Sequence, residues 1–247
     1  MSNRQKNYSG RLSLEEIAEG IAACLQNARA LVKDASVLLR ARRHPRALTC
    51  LLLANEELGK VDVLGAMARI GPQEQARWAD TWKSFRSHKF KEAHAAIQTT
   101  PDQLRTSFDS IFSAAPVAFR IASLGEESRQ ASLYVDFSES GRRWTSPLDI
   151  DRATVKRHLA FTRTALKRLE YYHKLGFFSV QALSIQHEEM SAAISSLSRS
   201  KDLTYDDLRT LEPHVKRCII RLIRELGIRY PDNVTIMGKP WREFIED

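Results

Sequence analysis

Cysteine is scarce in this chain of 247 residues, with three copies far apart at Cys24, Cys50 and Cys218. A disulfide framework needs cysteines in pairs, and a zinc site needs ligands at short, regular spacings. Each cysteine here lies among apolar residues with helical periodicity, as is typical of a small core side chain. The sequence therefore predicts no disulfide, no metal site and no cofactor.

Long hydrophobic runs are also missing. No window reaches the roughly 18 consecutive apolar residues of a membrane-spanning helix, and the first residues, MSNRQKNYSG, lack the apolar core of a signal peptide. Composition, at 43% hydrophobic and 28% charged, is that of an ordinary globular domain. We therefore expect a cytoplasmic protein that makes no use of a membrane.

Glycine is limited to 10 residues, and the common enzyme motifs are absent. The chain has no glycine-rich phosphate loop, no Cys-x-x-Cys, no His-Glu-x-x-His and no Gly-x-Ser-x-Gly. A nucleotide-binding module is therefore the weakest of the functional classes that the sequence allows.

Positive charge is in moderate excess. The formal net charge of +8 divides equally between residues 1–150 and 151–247, so there is no basic tail. An anionic partner such as RNA would consequently bind a folded surface.

Helical periodicity covers most of the chain. Ser13 and Glu16 form a capping box, and apolar residues at three- and four-residue spacing then predict a helix over 14–41. Pro45 opens a second helix, which ends before the Gly71-Pro72 pair, and the short connection between the two predicts an antiparallel hairpin. Similar patterns predict helices at residues 73–98, 152–175, 178–198 and 205–226, the last opened by a capping box of Thr204 and Asp207, and a shorter helix from Pro101.

One stretch has a β pattern. Residues 132–137, SLYVDF, alternate in polarity and are followed by the turn residues SESG and by RRWTS, which predicts a small β-hairpin. Beyond Gly227 we expect no regular element. The predicted layout is an all-α domain at 12–150, a helical extension at 151–226 packed on it, and an irregular C-terminal tail at 227–247.

The second helix contains a polar interruption. Its sequence PRALTCLLLANEELGK runs from an apolar stripe into Asn55, Glu56, Glu57 and Lys60. Consecutive glutamates lie about 100° apart on a helix, so at least one carboxylate lies beside the apolar face. The stretch is therefore either a buried polar network or part of a functional site.

Three segments together resemble a known family. The pattern A-x-x-x-x-x-x-A-x-E-E-x-G-K from Ala47 to Lys60, the pattern R-x-H-K-x-K from Arg86 to Lys91, and the string YVDF at residues 134–137 occur in the order found in the AbiV family of bacterial abortive-infection proteins. That family belongs to the broad HEPN group, and the match covers about residues 28–150. The resemblance implies an intracellular phage-defence protein that has a HEPN-like helical bundle and forms a homodimer. Many members of the HEPN superfamily are metal-independent ribonucleases, and others bind their targets without cleaving them.

The polar residues of the two helical segments are candidates for catalysis. His88 is a candidate general base or acid because imidazole titrates near neutrality, and Lys60 or Lys91 could stabilise a phosphate oxygen. The other members of the candidate set are Arg86, Glu56 and Glu57. Arg86 is two residues from His88, so on one undistorted helix it points elsewhere, toward Phe90. The alternative is a structural ion-pair lattice that fixes the helix register or a dimer contact.

Catalytic HEPN domains usually carry an arginine, a polar residue, three to five further residues and a histidine. Arg152 and His158 have about this spacing, as do two other pairs in the chain, but Ala153 follows the arginine where a polar residue is expected. Spacing alone therefore does not identify a catalytic pair.

A basic stripe is predicted on the helix at 152–175. Its members are Arg152, Lys156, Arg163, Lys167 and Lys174, which fall on one side of the helix. Such a stripe can grip RNA phosphates, although many such stripes are simply solvated.

These observations predict an antiphage protein that acts in abortive infection by RNA cleavage or by RNA-directed arrest of translation. The alternative is a non-catalytic helical adaptor that senses a phage product and sequesters a host factor.

Overall fold

The predicted all-α fold is confirmed in a computed structural model that describes residues 8–97, 128–138, 142–197, 210–229, 235–236 and 239–246. Its helices are α1 (Leu14–Arg40), α2 (His44–Met67), α3 (Gln75–Arg86), α4 (His88–Ile97), α5 (Arg152–Lys174), α6 (Val180–Ser196), α7 (Glu212–Leu226) and α8 (Trp241–Glu246). Its strands are β1 (Asp136–Ser138), β2 (Arg143–Thr145), β3 (Thr235–Ile236) and β4 (Lys239–Pro240), and a 3-10 turn spans Pro147–Asp149. In the described part of the chain, no helix is both long enough and apolar enough to span a membrane.

The predicted capping box at the start of α1 is confirmed. Ser13 Oγ accepts the backbone N–H of Glu16 at 3.2 Å, and the Glu16 carboxylate accepts the backbone N–H of Ser13 at 2.7 Å. Helix α1 packs along α2 as the predicted hairpin, and Gly20 near the start of α1 faces Leu64 near the end of α2. The two helices are therefore antiparallel.

The main core lies between α1, α2 and α5. Ile17, Ile21, Leu51 and Leu58 are fully buried there together with Leu169. A second apolar cluster lies between α6 and α7. The residues of the predicted helical extension after α5 thus have an apolar core of their own, and Leu183 of α6 joins the main one.

The single third helix predicted over 73–98 is wrong, because α3 and α4 are separated at Ser87. This residue has an extended backbone, with φ −79° and ψ 119°, and its Oγ accepts the backbone N–H of Phe90 at 3.4 Å. A serine hydroxyl competes with helical hydrogen bonds and favours caps. Ser87 therefore ends α3 and caps α4.

The hairpin is confirmed, but the predicted strand over 132–137 begins too early. Residues 128–133 are helical, and the buried Ser132 receives a 3.1 Å hydrogen bond from Thr49 of α2. That docking keeps Ser132 in a helix, so β1 starts only at Asp136 and pairs with β2, with Phe137 opposite Trp144.

The C-terminal residues are more regular than predicted. Strands β3 and β4 form an antiparallel pair, and α8 follows directly, so the expectation of an irregular tail is wrong for these residues. The helix predicted from Pro101 and the capping box of Thr204 and Asp207 lie outside the described residues.

Candidate functional site

Three of the predicted site residues meet at Glu56. Its side chain is buried, with 5% of its surface exposed. Glu56 Oε1 lies 2.7 Å from Nδ1 of His88, and Oε2 lies 3.0 Å from Nζ of Lys91. The His88 contact has ion-pair distance but not the angle of a good hydrogen bond, since Oε1 has no aligned donor. Helices α2 and α4 therefore meet at a buried carboxylate that holds one lysine and one imidazole.

Gly59 explains how α4 comes so close. A Cβ atom built on Gly59 would lie 1.9 Å from the carbonyl oxygen of Lys91, far inside van der Waals contact. Only a residue without a side chain permits this approach. The glycine in the E-E-x-G-K pattern is therefore needed for packing, and it brings the Lys91 side chain within reach of Glu56.

Glu57 faces a different helix from Glu56. Its Oε1 lies 2.7 Å from Nζ of Lys60, and Lys60 lies over the ring of Phe85 at 5.6 Å. Burial, and next the Glu57 charge, raises the pKa of the Cys24 thiol on α1 to about 12. The two neighbouring glutamates thus serve separate contacts, Glu56 with α4 and Glu57 with α1 and Lys60.

Arg86 is not part of either cluster. Its guanidinium donates a hydrogen bond to the backbone carbonyl of Tyr8 and lies 5.3 Å from the ring of Trp82. Arg86 therefore points away from His88, as predicted, but its aromatic partner is Trp82. The break at Ser87 does not bring the two side chains together.

A cleft of about 210 Å³ opens on the other side of the α2–α4 contact. It is lined by residues of α2, α4 and α5: Leu52, Asn55, Glu92, Thr154, Arg157, His158 and Phe161. Asn55 and Glu92 are each 5% exposed, and the amide oxygen of Asn55 has no hydrogen-bond partner in the described part of the chain. An unsatisfied buried amide beside a cleft is costly unless something in the cleft completes it.

His158 contributes the imidazole of this cleft. Burial, and to a lesser degree the charge of Arg157, lowers the pKa of His158 below its ordinary value. Arg157 is itself held by a 2.9 Å hydrogen bond to Thr154 Oγ1. The cleft therefore combines a neutral imidazole, a guanidinium, an aromatic ring and the buried carboxyl group of Glu92.

The sequence spacing that includes His158 relates it to Arg152, which the structure does not bring into the cleft. Arg152 is six residues from His158, which places it about 120° away around α5, and it does not line the cleft. The partners Asn55, Glu92 and Arg157 were missed because three helices bring them together. The only local signal was that Asn55 interrupts an apolar stripe.

The five cations of the predicted RNA-binding stripe are all exposed along one side of α5. One of them, Arg163, donates a 3.1 Å hydrogen bond to Ser36 Oγ of α1. The predicted placement is therefore observed, while RNA binding stays a prediction. Among the described residues, no group of three or more His, Cys, Asp or Glu side chains is arranged to hold a metal ion.

Comparison with protein-family models matches residues 16–166 to the HEPN family model described as AbiV. The matched region is more than half of the chain and contains both the Glu56 cluster and the cleft, whereas α6, α7 and α8 lie beyond it. Neither the comparison with curated proteins nor that with solved structures gave a match.

Proposed function

The chain belongs to the AbiV family of HEPN-like helical proteins, and from that premise we propose that it cleaves RNA without a metal ion, in the cleft at His158. Membership of this family indicates antiphage defence by abortive infection. The cleavage chemistry is our proposal, and the observation that carries it is the convergence of His158, Arg157 and the unsatisfied amide of Asn55 in one cleft.

The groups in the cleft suit attack by a ribose 2′-hydroxyl. Neutral His158 takes the proton of the 2′-hydroxyl as general base, because its lowered pKa keeps it unprotonated near neutral pH. The 2′-oxygen bonds to phosphorus, the bond from phosphorus to the 5′-oxygen breaks, and the 5′-oxygen takes a proton from solvent. Arg157 stabilises the negative charge on the phosphate oxygens. The products are a 2′,3′-cyclic phosphate and a 5′-hydroxyl.

The Glu56 cluster holds α4 against α2 beside this cleft. Lys91 is buried and occupied by Glu56, so it is not free to reach a substrate. The side chain of His88 is 45% exposed, and its Nδ1 lies beside the Glu56 carboxylate. We therefore assign Glu56 and Lys91 to positioning α4, and keep His88 as the competing candidate for the base.

Two single variants decide between the imidazoles. Purified protein is incubated with end-labelled RNA in EDTA, as wild type, His158→Ala and His88→Ala, with Arg86→Ala as a control for loss of a surface contact. We expect fragments with cyclic phosphate ends from wild type and Arg86→Ala, and none from His158→Ala. Normal cleavage by His158→Ala together with none from His88→Ala would move the site to His88. Absence of fragments from wild type under every activating condition would refute cleavage.

A second function is favoured by the β-hairpin. Trp144 of the hairpin and Leu148 of the 3-10 turn that follows it are 71% and 86% exposed, and Phe137 packs against Trp144 with ring centroids 5.4 Å apart. Exposed apolar side chains in a group are typical of a protein contact. The adaptor hypothesis is that this hairpin binds a phage product or host factor and needs no catalysis.

Phage protection separates the two functions. If the protein is an adaptor, protection survives His158→Ala and His88→Ala but is lost in Trp144→Ala. If it is a ribonuclease, protection is lost with the catalytic imidazole. Far-ultraviolet circular dichroism of each variant checks that it is folded.

A further inference from the structure

We propose that the groove between α1 and α5 holds the sugar-phosphate backbone of single-stranded RNA. This groove, called the basic groove below, is bordered by Arg29, Lys33 and Arg40 of α1 and by the five exposed cations of α5. The inference rests on the proposed action on RNA, and it adds where and how the RNA is held.

Side-chain contacts fix the relative direction of the two helices. Arg29 Nε lies 2.7 Å from Glu170 Oε1, and Arg163 donates to Ser36 at 3.1 Å. The two α1 residues are seven positions apart, and so are the two α5 residues, in the opposite order. Helices α1 and α5 are therefore antiparallel, and the two contacts are about two helical turns apart on each helix.

Both borders of the groove carry cations. Arg29, Lys33, Ser36 and Arg40 follow each other at spacings of four, three and four residues, so they lie along one side of α1. Ser36 is the residue that Arg163 contacts, so this side of α1 faces the basic stripe of α5. The predicted stripe is thus one half of a two-sided surface, and α1 supplies the other half.

The antiparallel register sets like charges opposite each other. Counting from the pair formed by Ser36 and Arg163, Lys33 lies at nearly the same level as Lys167. Neither lysine forms an ion pair in the described part of the chain, and both are exposed. Facing lysines repel each other, and an anion between them removes this cost.

Few carboxylates offset this charge. Glu170 is the only acidic residue in the sequence of α5, and it is occupied by Arg29. The net charge of the whole chain is +8, so a large part of the excess is gathered along this one groove. A surface of this kind attracts a polyanion with regularly spaced charges.

The groove continues at both ends. At one end α1, Glu170, His173 and Lys174 line a depression of about 580 Å³. At the other end the turn between α1 and α2 exposes Arg42 and Arg43. The pKa of Asp151, at the start of α5, is lowered mainly by the backbone N–H of Thr154 and slightly by His44, which places this turn near the N-terminus of α5.

The dimensions favour a single strand. Packed helices have axes about 8 to 10 Å apart, so a groove between them admits one backbone and not a duplex. From Arg152 to Lys174 the α5 border is about 33 Å long at 1.5 Å per residue. The phosphates of one duplex strand are about 3.4 Å apart along the axis, and those of an extended single strand are farther apart, so this border spans at most about ten phosphates. Tyr171, half-exposed between Lys167 and Lys174, offers a ring on which a base can stack.

Binding is measured separately from cleavage. The full-length protein is titrated into a fluorescein-labelled 2′-O-methyl RNA of about ten nucleotides, whose blocked 2′-oxygen prevents the proposed cleavage, and anisotropy is recorded at several salt concentrations. The variants are Lys33→Glu and Lys167→Glu. The control is Arg229→Glu, an equal change of charge at an exposed arginine outside the groove.

We expect each groove variant to bind about tenfold more weakly and to reduce the slope of log affinity against log salt by about 0.7 to 1, while Arg229→Glu changes affinity less than about twofold.

Equal loss of affinity in all three variants would mean that only net charge matters, and no loss in the groove variants would also overturn the proposal. A duplex of the same sequence that competes as well as the single strand would overturn the single-strand assignment. If a reversal unfolds the protein, Lys33→Gln and Lys167→Gln replace it. Normal binding without cleavage of unmodified RNA would refute the ribonuclease and leave the groove intact.

Discussion

Gly59 of α2 lies directly against the backbone of Lys91 on α4. A methyl group at Gly59 would approach the Lys91 carbonyl oxygen to 1.9 Å, and one turn earlier on α2 the Glu56 carboxylate holds the Lys91 ammonium at 3.0 Å. The close helix crossing and the buried ion pair therefore depend on each other. The same crossing sets α4 against α2 at the cleft, where Asn55 and Glu92 are the neighbours of Glu56 and Lys91 in sequence.

Gly59→Ala is expected to destabilise the fold. Alanine gains up to about 1 kcal/mol in helix propensity over glycine, but the clash is with backbone and forces the helices apart, which costs about 1 to 3 kcal/mol or more. Urea unfolding followed by circular dichroism measures the net loss. Gly65→Ala in the same helix is the matched control, because its nearest neighbour, a flexible Arg69 nitrogen, is 3.9 Å away. A control that loses as much stability as Gly59→Ala would contradict this explanation.

Removing one partner of the buried ion pair is expected to cost more than removing both. Lys91→Met leaves the Glu56 carboxylate buried with only His88 beside it, and an uncompensated buried charge costs about 3 to 5 kcal/mol. The double variant Glu56→Gln with Lys91→Met removes both charges of this pair and recovers part of the loss. The free energy of unfolding of the wild type, both single variants and the double variant gives the coupling in a double-mutant cycle. Additive losses would show that the pair contributes no coupling.

The sequence predicted features that depend on neighbouring residues, but not those that depend on residues brought together from different helices. Ser13 and Glu16 act within one turn of α1, so their capping box was predictable. The helix break at Ser87 was not predictable, since serine occurs both on helix surfaces and at helix caps. The sequence predicted that at least one of Glu56 and Glu57 lies beside the apolar face, but the partners of Glu56 depended on how closely α4 approaches Gly59. His158 was noticed through a spacing to Arg152 that the helix geometry does not support.

The thiols are expected to react in the order of their burial. Burial raises the pKa of Cys24 to about 12 and that of Cys218 to about 11, so both stay protonated and slow at pH 8. Burial also raises the pKa of Cys50, but this thiol is only half-buried, so it should be alkylated first by iodoacetamide, as mass spectrometry of peptides would show. Denaturant should make all three react alike. Rapid modification of Cys24 in the folded protein would show that the α1–α2 contact opens.

The raised pKa of Cys24 also predicts a loss of stability at alkaline pH. A thiol whose pKa is raised in the folded state stabilises that state fully below its unfolded pKa, here 9.0, and this contribution is lost as the pH rises toward about 12. The free energy of unfolding should therefore fall above pH 9. Cys24→Ala should make this fall shallower, whereas Cys50→Ala should change it less. An unchanged slope in Cys24→Ala would exclude this thiol as the source.

The pH dependence of RNA cleavage tests His158 and Arg157 together. His158 must be neutral to act as the base, so the rate rises with pH through its pKa, which burial and Arg157 hold below the ordinary value. Arg157→Gln removes a nearby positive charge, and the protonated imidazole becomes easier to form. The acid limb of the pH–rate profile should therefore move to higher pH, in addition to any general loss of rate. Arg163→Gln removes the same charge from the α1-facing side of α5 and should leave the limb in place, because Arg163 contacts Ser36 and lies away from the cleft. A limb that stays fixed in Arg157→Gln, together with loss of cleavage in His88→Ala and normal cleavage in His158→Ala, would assign the base to His88.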